Sequence, residues 1–328
     1  MKKNIALVAG GNSGEKVISI KSASIVEQNI DADKYNVYKI ILSGNDWFYQ
    51  YNKTKRAYID KNDFSIIINK EKIKFDCAFI IIHGTPGEDG KLQGYFDLLN
   101  IPYTTCDHTT SAITFNKSYC NKIVKTLGIN VSNSEHLFKH NTNGADAVKN
   151  DLKLPVFVKP NNGGSSIGMS KVKRWTGLDS ALAKAFNEDD QVIVEEFIKG
   201  RELSCGMIKG KDGLIVFPLT EIKSEREYFD YKAKYKGASK EITPAEVDEE
   251  VSIKVKATAS YLYNKLNCRG IVRFDFILQD DTNELYFLEV NTVPGQSAES
   301  IVPQQARAMG MTTKELYSLL IETTLIGD

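Results

Sequence analysis

Residues 270–301 read GIVRFDFILQDDTNELYFLEVNTVPGQSAESI, and the rest of the chain is organised around them. Two runs rich in β-branched and aromatic residues, 271–278 and 285–290, flank the polar segment 279–284, which is the pattern of a β-hairpin. Side chains alternate along a strand, so Arg273 and Asp275 share one face of the first run, and Glu289 and Asn291 share one face at the end of the second. A hairpin symmetric about Thr282 sets Asp275 opposite Glu289 and Arg273 opposite Asn291. Facing carboxylates repel. A divalent cation between them removes that penalty, and the oxygen-only set of Asp275, Glu289 and Asn291 suits Mg²⁺ held together with substrate phosphates. An ordinary hairpin with a solvated polar face would account for either pair alone. Here both pairs sit among apolar residues and the second runs straight into Pro294-Gly295-Gln296-Ser297, which favours the metal.

A chain of 328 residues is long for one core and predicts two or three domains. Lys plus Arg equal Asp plus Glu at 42 each, so no global field draws the chain to nucleic acid or an anionic membrane. Any phosphate site must be local. Five cysteines (Cys77, Cys106, Cys120, Cys205, Cys268) lack a C-x-x-C and the four histidines lack ligand spacing, which predicts reduced thiols, a cytosolic compartment and no zinc. The apolar run at the N-terminus stops at Gly10-Gly11, short of a secretory h-region, and no window approaches a membrane span. A soluble, cytoplasmic protein is expected.

Residues 5–9 form a short strand run, ended by Gly10-Gly11-Asn12-Ser13-Gly14 and followed by helical spacing over 15–29. The glycines read as a tight βα turn or, less readily, a phosphate nest, since neither G-x-G-x-x-G nor Gly-Lys-Ser/Thr is present. Glu15 opens the helix at the carboxyl end of a parallel strand, where open α/β sheets place ligands, although a first-turn glutamate commonly only offsets the helix dipole. Strand candidates at 35–42, 65–68 and 77–82 alternate with helices, which predicts a parallel, doubly wound first domain. The last of them enters HGTPGEDG, residues 83–90, and a helix over 91–99. His83 is read chiefly as ordering this loop, with a place in the substrate pocket as its functional alternative.

Residues 109–127 read helical and include Lys117. Residues 154–170, LPVFVKPNNGGSSIGMS, place a loop of glycines and hydroxyls between two strands, with Lys159 just before it. Backbone N–H groups and the hydroxyls of Ser165 and Ser166 can cover a polyphosphate there. QVIVEEFI, residues 191–198, is a strand followed by Glu195-Glu196, and 203–208 with 214–219 continue an antiparallel sheet. Residues 221–240 are charged and tyrosine-rich without clean periodicity, and are read as a surface lid that orders over ligand. Residues 251–266 are helical, and Thr312-Thr313-Lys314-Glu315 is a capping box that starts a final amphipathic helix.

In order along the chain, GGNSGE, HGTPGEDGKLQG, FVKPNNGGSSIGMSKV, VIVEEFIKGRE, YFDYKAKY and GIVRFDF followed by LEVNTVPGQSAESIVP resemble the D-alanine–D-alanine ligases of the ATP-grasp superfamily. The resemblance covers nearly the whole chain. It implies an α/β protein, α+β in its ATP-grasp part: a doubly wound N-terminal α/β domain over 1–108, then two subdomains, 109–198 and 199–328, whose antiparallel sheets sandwich ATP. The lid loop would span 221–241. Lys117 and Lys159 would meet the phosphates with Ser166, Glu195 and the backbone at Phe197 and Ile198 the adenine, and Glu202 the ribose. Lys234 would be a lid lysine near the nucleotide. Asp275, Glu289 and Asn291 would ligate two Mg²⁺ ions, with Mn²⁺ as a substitute. Glu15 would receive the ammonium of the first D-alanine, with Ser165 and Tyr235 as its hydrogen-bonding partners. Arg273 and the N–H of Gly295 would be oxyanion donors, and Ser300 with Ile301 would line the second amino acid's pocket.

The implied reaction is ATP-dependent formation of D-alanyl-D-alanine through an acyl phosphate, supplying peptidoglycan precursors for the cell wall, by a homodimer with small-molecule substrates and neither nucleic acid nor membrane as partner. Tyr235 accompanies an amine nucleophile in this family. The chain departs from the family where Gln296 replaces the usual methionine and Ile301 the usual leucine, so D-serine or another amine stands as the alternative second substrate. A ligase for a different carboxylate would leave Glu15 and Tyr235 without a role, and a non-enzymatic nucleotide-binding module would not need the second carboxylate or Arg273.

Overall fold

In the computed structural model, which describes residues 2–52, 54–140, 144–224 and 239–326, strand Lys3–Gly10 pairs in parallel with Tyr35–Ser43 on one side and Cys77–Ile80 on the other. Two strands that the sequence reading did not assign, Asp46–Gln50 and Arg56–Tyr58, extend this sheet in antiparallel fashion. Both faces of the parallel strands are apolar, as a sheet covered by helices requires. Ile5, Leu7 and Phe79 pack with Ala23 and Val26 of helix Lys16–Asn29, while Ala6, Val8 and Ile80 pack with Leu92 and Phe96 of helix Lys91–Leu99. The doubly wound expectation is met in these strands. The glycine turn after the first strand is tight: Gly10 has φ +101°, and a Cβ there would lie 2.3 Å from the Leu42 carbonyl oxygen.

Residues 109–127 form two helices, not one. His108–Phe115 and Lys117–Thr126 are separated at Asn116, whose extended backbone lets its side chain accept from the Tyr119 N–H at 3.0 Å. That cap sets Lys117 at the first position of the second helix.

Two sheets follow, antiparallel except where Asn130–Val131 joins Leu285–Asn291 in parallel. The smaller has the order Ser170–Val172, Val156–Pro160, Gln191–Glu196, Ser134–Phe138 and is backed by helix Leu178–Phe186. The larger has the order Ser239–Ile242, Thr220–Ser224, Gly200–Gly210, Ile271–Gln279, Leu285–Asn291, Asn130–Val131, with Gly213–Val216 also paired to the third of these. Helices Glu249–Lys265 and Lys117–Thr126 contribute to the apolar cluster behind it. The ends of the expected lid are thus strand: Glu221–Ser224 pair residue for residue with Ser239–Ile242, and the intervening 225–238 lie outside the described residues.

The final helix Thr313–Ile326 starts at the predicted capping box, with Thr312 N donating to Glu315 Oε2 at 2.8 Å and Glu315 N to Thr312 Oγ1 at 3.2 Å. Its Leu316, Tyr317 and Leu320 join the N-terminal sheet and strand Ile271–Gln279 in one apolar cluster, tying the first and last parts of the chain together. All five cysteines are free and buried. No helix among the described residues is long and apolar enough to cross a membrane.

Candidate active site

Arg273 faces Asn291 and Asp275 faces Glu289 across the hairpin, as symmetry about Thr282 requires. Between Asp275 and Phe276 the register shifts by one residue, so Leu288 is an extra residue in the second strand. This bulge has a clear effect on facing. Phe287 and Val290 both enter the apolar cluster behind the sheet, while Glu289 lines the cleft in front. A regular strand would put Phe287 and Glu289 on one face; the inserted residue re-aims the carboxylate.

The cleft in front, of about 400 Å³, lies between the two antiparallel sheets. One wall carries Lys159, Glu195 and Phe197 from the smaller sheet, and the other Glu202, Arg273 and Asp275 from the larger. Lys117 enters from its helix N-terminus, donating to the Gly163 carbonyl at 2.6 Å and lying 3.5 Å from Glu289 Oε2. Lys159 donates to Glu195 Oε2 at 2.6 Å, and Asn121 Nδ2 donates to Glu195 Oε1 at 2.8 Å. Burial alone would lower the Lys159 pKa; the Glu195 carboxylate outweighs it and raises it, so the ammonium stays charged. Glu195, which the resemblance sets beside the adenine, thus anchors Lys159 among the described contacts.

Phe197 forms part of an aromatic wall. Its ring lies edge-on to Phe157 at 5.7 Å and beneath Lys171 Nζ at 3.4 Å. Its own N–H is taken by the Pro155 carbonyl at 2.9 Å. Ile198 also lines the cleft.

Glu15 occupies the N-cap of helix Lys16–Asn29, yet its side chain makes no capping bond. It accepts instead from Ser165 Oγ, in the loop between strands Val156–Pro160 and Ser170–Val172. Ser165 and Ser166 both adopt left-handed backbone, φ 53° and 56°, a strained state for non-glycine residues that tends to occur at functional loops. Glycines border the same carboxylate: a Cβ on Gly164 would lie 3.0 Å from Glu15 Oε2, and one on Gly84 3.5 Å from it. Glu88, which the sequence reading missed, stands next to this group. Burial and then the Glu15 charge push its pKa up to about 8, while its Oε2 accepts from Gly84 N at 2.6 Å. His83 Nδ1 bonds the Val293 carbonyl at 2.9 Å, tying its loop to the segment after the hairpin and matching the loop-ordering reading.

Past the hairpin, Ser300 occupies the N-cap position of helix Ile301–Ala308 without a side-chain capping bond, and its Oγ accepts from Ser297 N at 3.0 Å. A Cβ on Gly295 would lie 2.8 Å from that Oγ, so Gly295, Ser300 and Ile301 are neighbours, with Ile301 facing the cleft. Helix N–H groups there suit a carboxylate. Lys234 and Tyr235 lie outside the described residues.

Arg273 donates to Asp275 through Nε at 2.9 Å and through its terminal nitrogen at 2.7 Å. Burial would lower the arginine pKa, and Asp275 more than offsets it, so the guanidinium remains charged beside the cleft. The donor set of Asp275, Glu289 and Asn291 fits a hard, oxygen-seeking cation: all three offer oxygens, Asp275 is buried and Glu289 is half-exposed to the cleft. No three His, Cys, Asp or Glu side chains cluster among the described residues, so nucleotide phosphates would have to complete the coordination.

Two sheets closing on a cleft, with lysines on one wall and acidic oxygens beside an arginine on the other, define an ATP-grasp ligase. Family models described as D-ala D-ala ligase N-terminus and C-terminus match residues 4–106 and 123–322. A D-alanine--D-alanine ligase of Parabacteroides distasonis is 47% identical over 325 residues, covering 99% of this chain and 98% of that protein. Among solved structures, a D-Ala:D-Ser ligase from Enterococcus faecalis superposes with TM-score 0.89 at 32% identity, covering 99% of this chain and all of that one (100%). A D-alanine--D-alanine ligase from Bacillus anthracis complexed with ATP superposes with TM-score 0.78 at 29% identity, covering 99% and 98%. The chain belongs to the D-alanine–D-alanine ligase family.

Proposed function

We propose that this chain joins two D-alanine molecules to D-alanyl-D-alanine at the expense of ATP, with a phosphorylated carboxylate as the intermediate, for the synthesis of peptidoglycan precursors. The observation that carries this reading is the meeting of Glu15 with Ser165 at the mouth of a cleft whose floor holds Arg273, Asp275 and Glu289. An amino acid whose ammonium rests on Glu15 directs its carboxylate towards the phosphates.

Lys117 and Lys159 neutralise phosphate charge, and Ser165 and Ser166 close the loop over it. Asp275, Glu289 and Asn291 would hold two Mg²⁺ ions, or Mn²⁺, which supply positive charge against the oxygens of the transferring phosphoryl group. The second amino acid binds with its carboxylate at Ser300 and its methyl against Ile301. When its amine attacks, Arg273 and the Gly295 N–H stabilise the tetrahedral oxyanion. Exclusion of water from the cleft protects the acyl phosphate from hydrolysis; Lys234 and Tyr235 are assigned to that closure and to the nucleotide and first substrate respectively.

Residues 1–108, 109–198 and 199–328 are proposed as the three structural units, with the chain a homodimer in the cytoplasm. Free, buried thiols fit a reducing compartment. Light scattering would test the dimer.

Mass spectrometry of the product formed from ATP, Mg²⁺ and D-alanine tests the main reading, with D-serine and L-alanine in parallel. D-alanyl-D-alanine is expected. Phosphate release with L-alanine but not D-alanine would overturn it, and preferential D-alanyl-D-serine would move the second substrate. Asp275→Asn and Glu289→Gln are each expected to lower turnover by at least about 100-fold; near-normal rates in both would remove the metal from the hairpin.

A further inference from the structure

Strand Gly200–Gly210 changes partner along one edge. Residues 202–204 pair with 220–222, whereas 207–210 pair with Gly213–Val216. Between these two ladders a side chain stands in for a strand. Gln305, fully buried in helix Ile301–Ala308, donates from Nε2 to the Ser204 carbonyl at 2.9 Å and accepts at Oε1 from the Gly206 N–H at 3.0 Å. The same Nε2 lies 3.1 Å from Thr220 Oγ1. A Cβ on Gly206 would sit 2.3 Å from Gln305 Oε1, so the amide fits only because residue 206 is glycine.

The opposite edge of this strand faces the hairpin, with Ser204 across from Asp275 and Gly206 across from Arg273. Ser204 is fully buried, and its Oγ donates to Asp275 Oδ1 at 2.5 Å. Oδ1 thus receives both Ser204 and Arg273 Nε, while Oδ2 receives the terminal nitrogen of Arg273 at 2.7 Å and the same Nε at 3.1 Å. A carboxylate has roughly four acceptor sites, two per oxygen. Since Arg273 Nε is shared between the two oxygens, the Ser204 hydroxyl is, among the described hydrogen bonds, the one to Asp275 that does not come from Arg273.

We propose that Ser204, its backbone held by the Gln305 amide, is a positioning residue that, together with Arg273, fixes the orientation in which the Asp275 carboxylate would meet the divalent cation. This rests on the assignment of Asp275 as a metal ligand. Because Gln305 belongs to the helix that starts at Ser300 and Ile301, it also links the pocket for the second amino acid to the metal-bearing sheet. Partners that orient a ligating carboxylate change metal affinity by about 10–100-fold when removed.

Mn²⁺ serves as the probe. It is titrated into the full-length protein with a non-hydrolysable ATP analogue, protein in excess, and free Mn²⁺ is read by electron paramagnetic resonance; melting is followed in parallel without nucleotide. Ser204→Ala is expected to weaken Mn²⁺ binding about 10-fold with little change in melting temperature. Gln305→Met, similar in shape but without the amide, is expected to shift binding in the same direction. Asp275→Asn should give the largest loss. Wild-type Mn²⁺ affinity in Ser204→Ala, whatever its melting temperature, alongside a loss in Asp275→Asn, would overturn the positioning role and leave the metal site standing. Wild-type affinity in Asp275→Asn would overturn the metal site and this inference with it. Should Gln305→Met fail to fold, the Ser204→Ala titration decides alone.

Discussion

Ser165 and Glu15, 150 residues apart in the chain, share a hydrogen bond that closes the serine loop of the smaller antiparallel sheet against the first helix of the N-terminal sheet. The contact leaves Glu15 without a capping role and directs its charge to the space between the loops. Removing the hydroxyl leaves the carboxylate free to swing. Ser165→Ala is therefore expected to lower kcat/KM for D-alanine by about 10–100-fold, the range for a hydrogen bond to a charged group, while the KM for ATP and the melting temperature change little. Steady-state kinetics varying each substrate in turn would show it; an unchanged D-alanine response would mean that the bond is incidental.

Lys159 and Glu195 form a buried ion pair with side-chain exposures of 14% and 7%. Breaking one side strands the other charge. Lys159→Met should cost about 3–5 kcal/mol, and the double variant Lys159→Met/Glu195→Gln should recover a large part of that in a double-mutant cycle read by urea unfolding. Equal stability of single and double variants would show that the pair is relaxed by water.

Glu88 gives a pH signature. Its pKa rises from the usual 4.5 to about 8 through burial and the neighbouring Glu15 charge. The native protein then holds a proton in this window that the unfolded chain has released, so stability falls as pH rises from the lower value to the upper. Glu88→Gln keeps an acceptor for Gly84 N and removes the titration. Urea unfolding at about pH 5.5 and about pH 8 should show wild type losing stability relative to Glu88→Gln at the higher pH. Parallel curves would place the proton elsewhere.

The hairpin was legible because period-two alternation, a polar turn and paired acids all lie within one short segment; Arg273, Asp275, Glu289 and Asn291 are where counting from Thr282 puts them. What counting does not reveal is the extra residue at Leu288, since a bulge has no sequence signature stronger than an ordinary apolar position. Long-range partners were also hidden. Nothing near Glu195 in sequence indicates that Asn121 and Lys159 bond it, although Asn121 follows Lys117 by one helical turn and so shares its face. Ser204 reads as one small residue in a strand, and Gln305 as an ordinary helix former; their importance comes from a gap between two ladders that only the folded sheet creates. Strands at 130–131 and 134–138 escaped notice because they are short edge strands without clear alternation, and the separation of two helices at Asn116 depends on a cap that competes with continued helix.

The displaced pairing at Leu288 also works as a vernier. Towards the turn, Phe276 pairs with Phe287, and towards the chemistry, Asp275 pairs with Glu289, so the two ends of one hairpin keep different counts. Loop trimming or grafting at 280–284 can then be accommodated as slippage on the turn side, while the acid pair stays aligned by Arg273 opposite Asn291. For anyone re-engineering this scaffold, the turn is the replaceable end, and Leu288 is the residue whose deletion would make the ladder regular while leaving Phe287 and Glu289 on opposite faces.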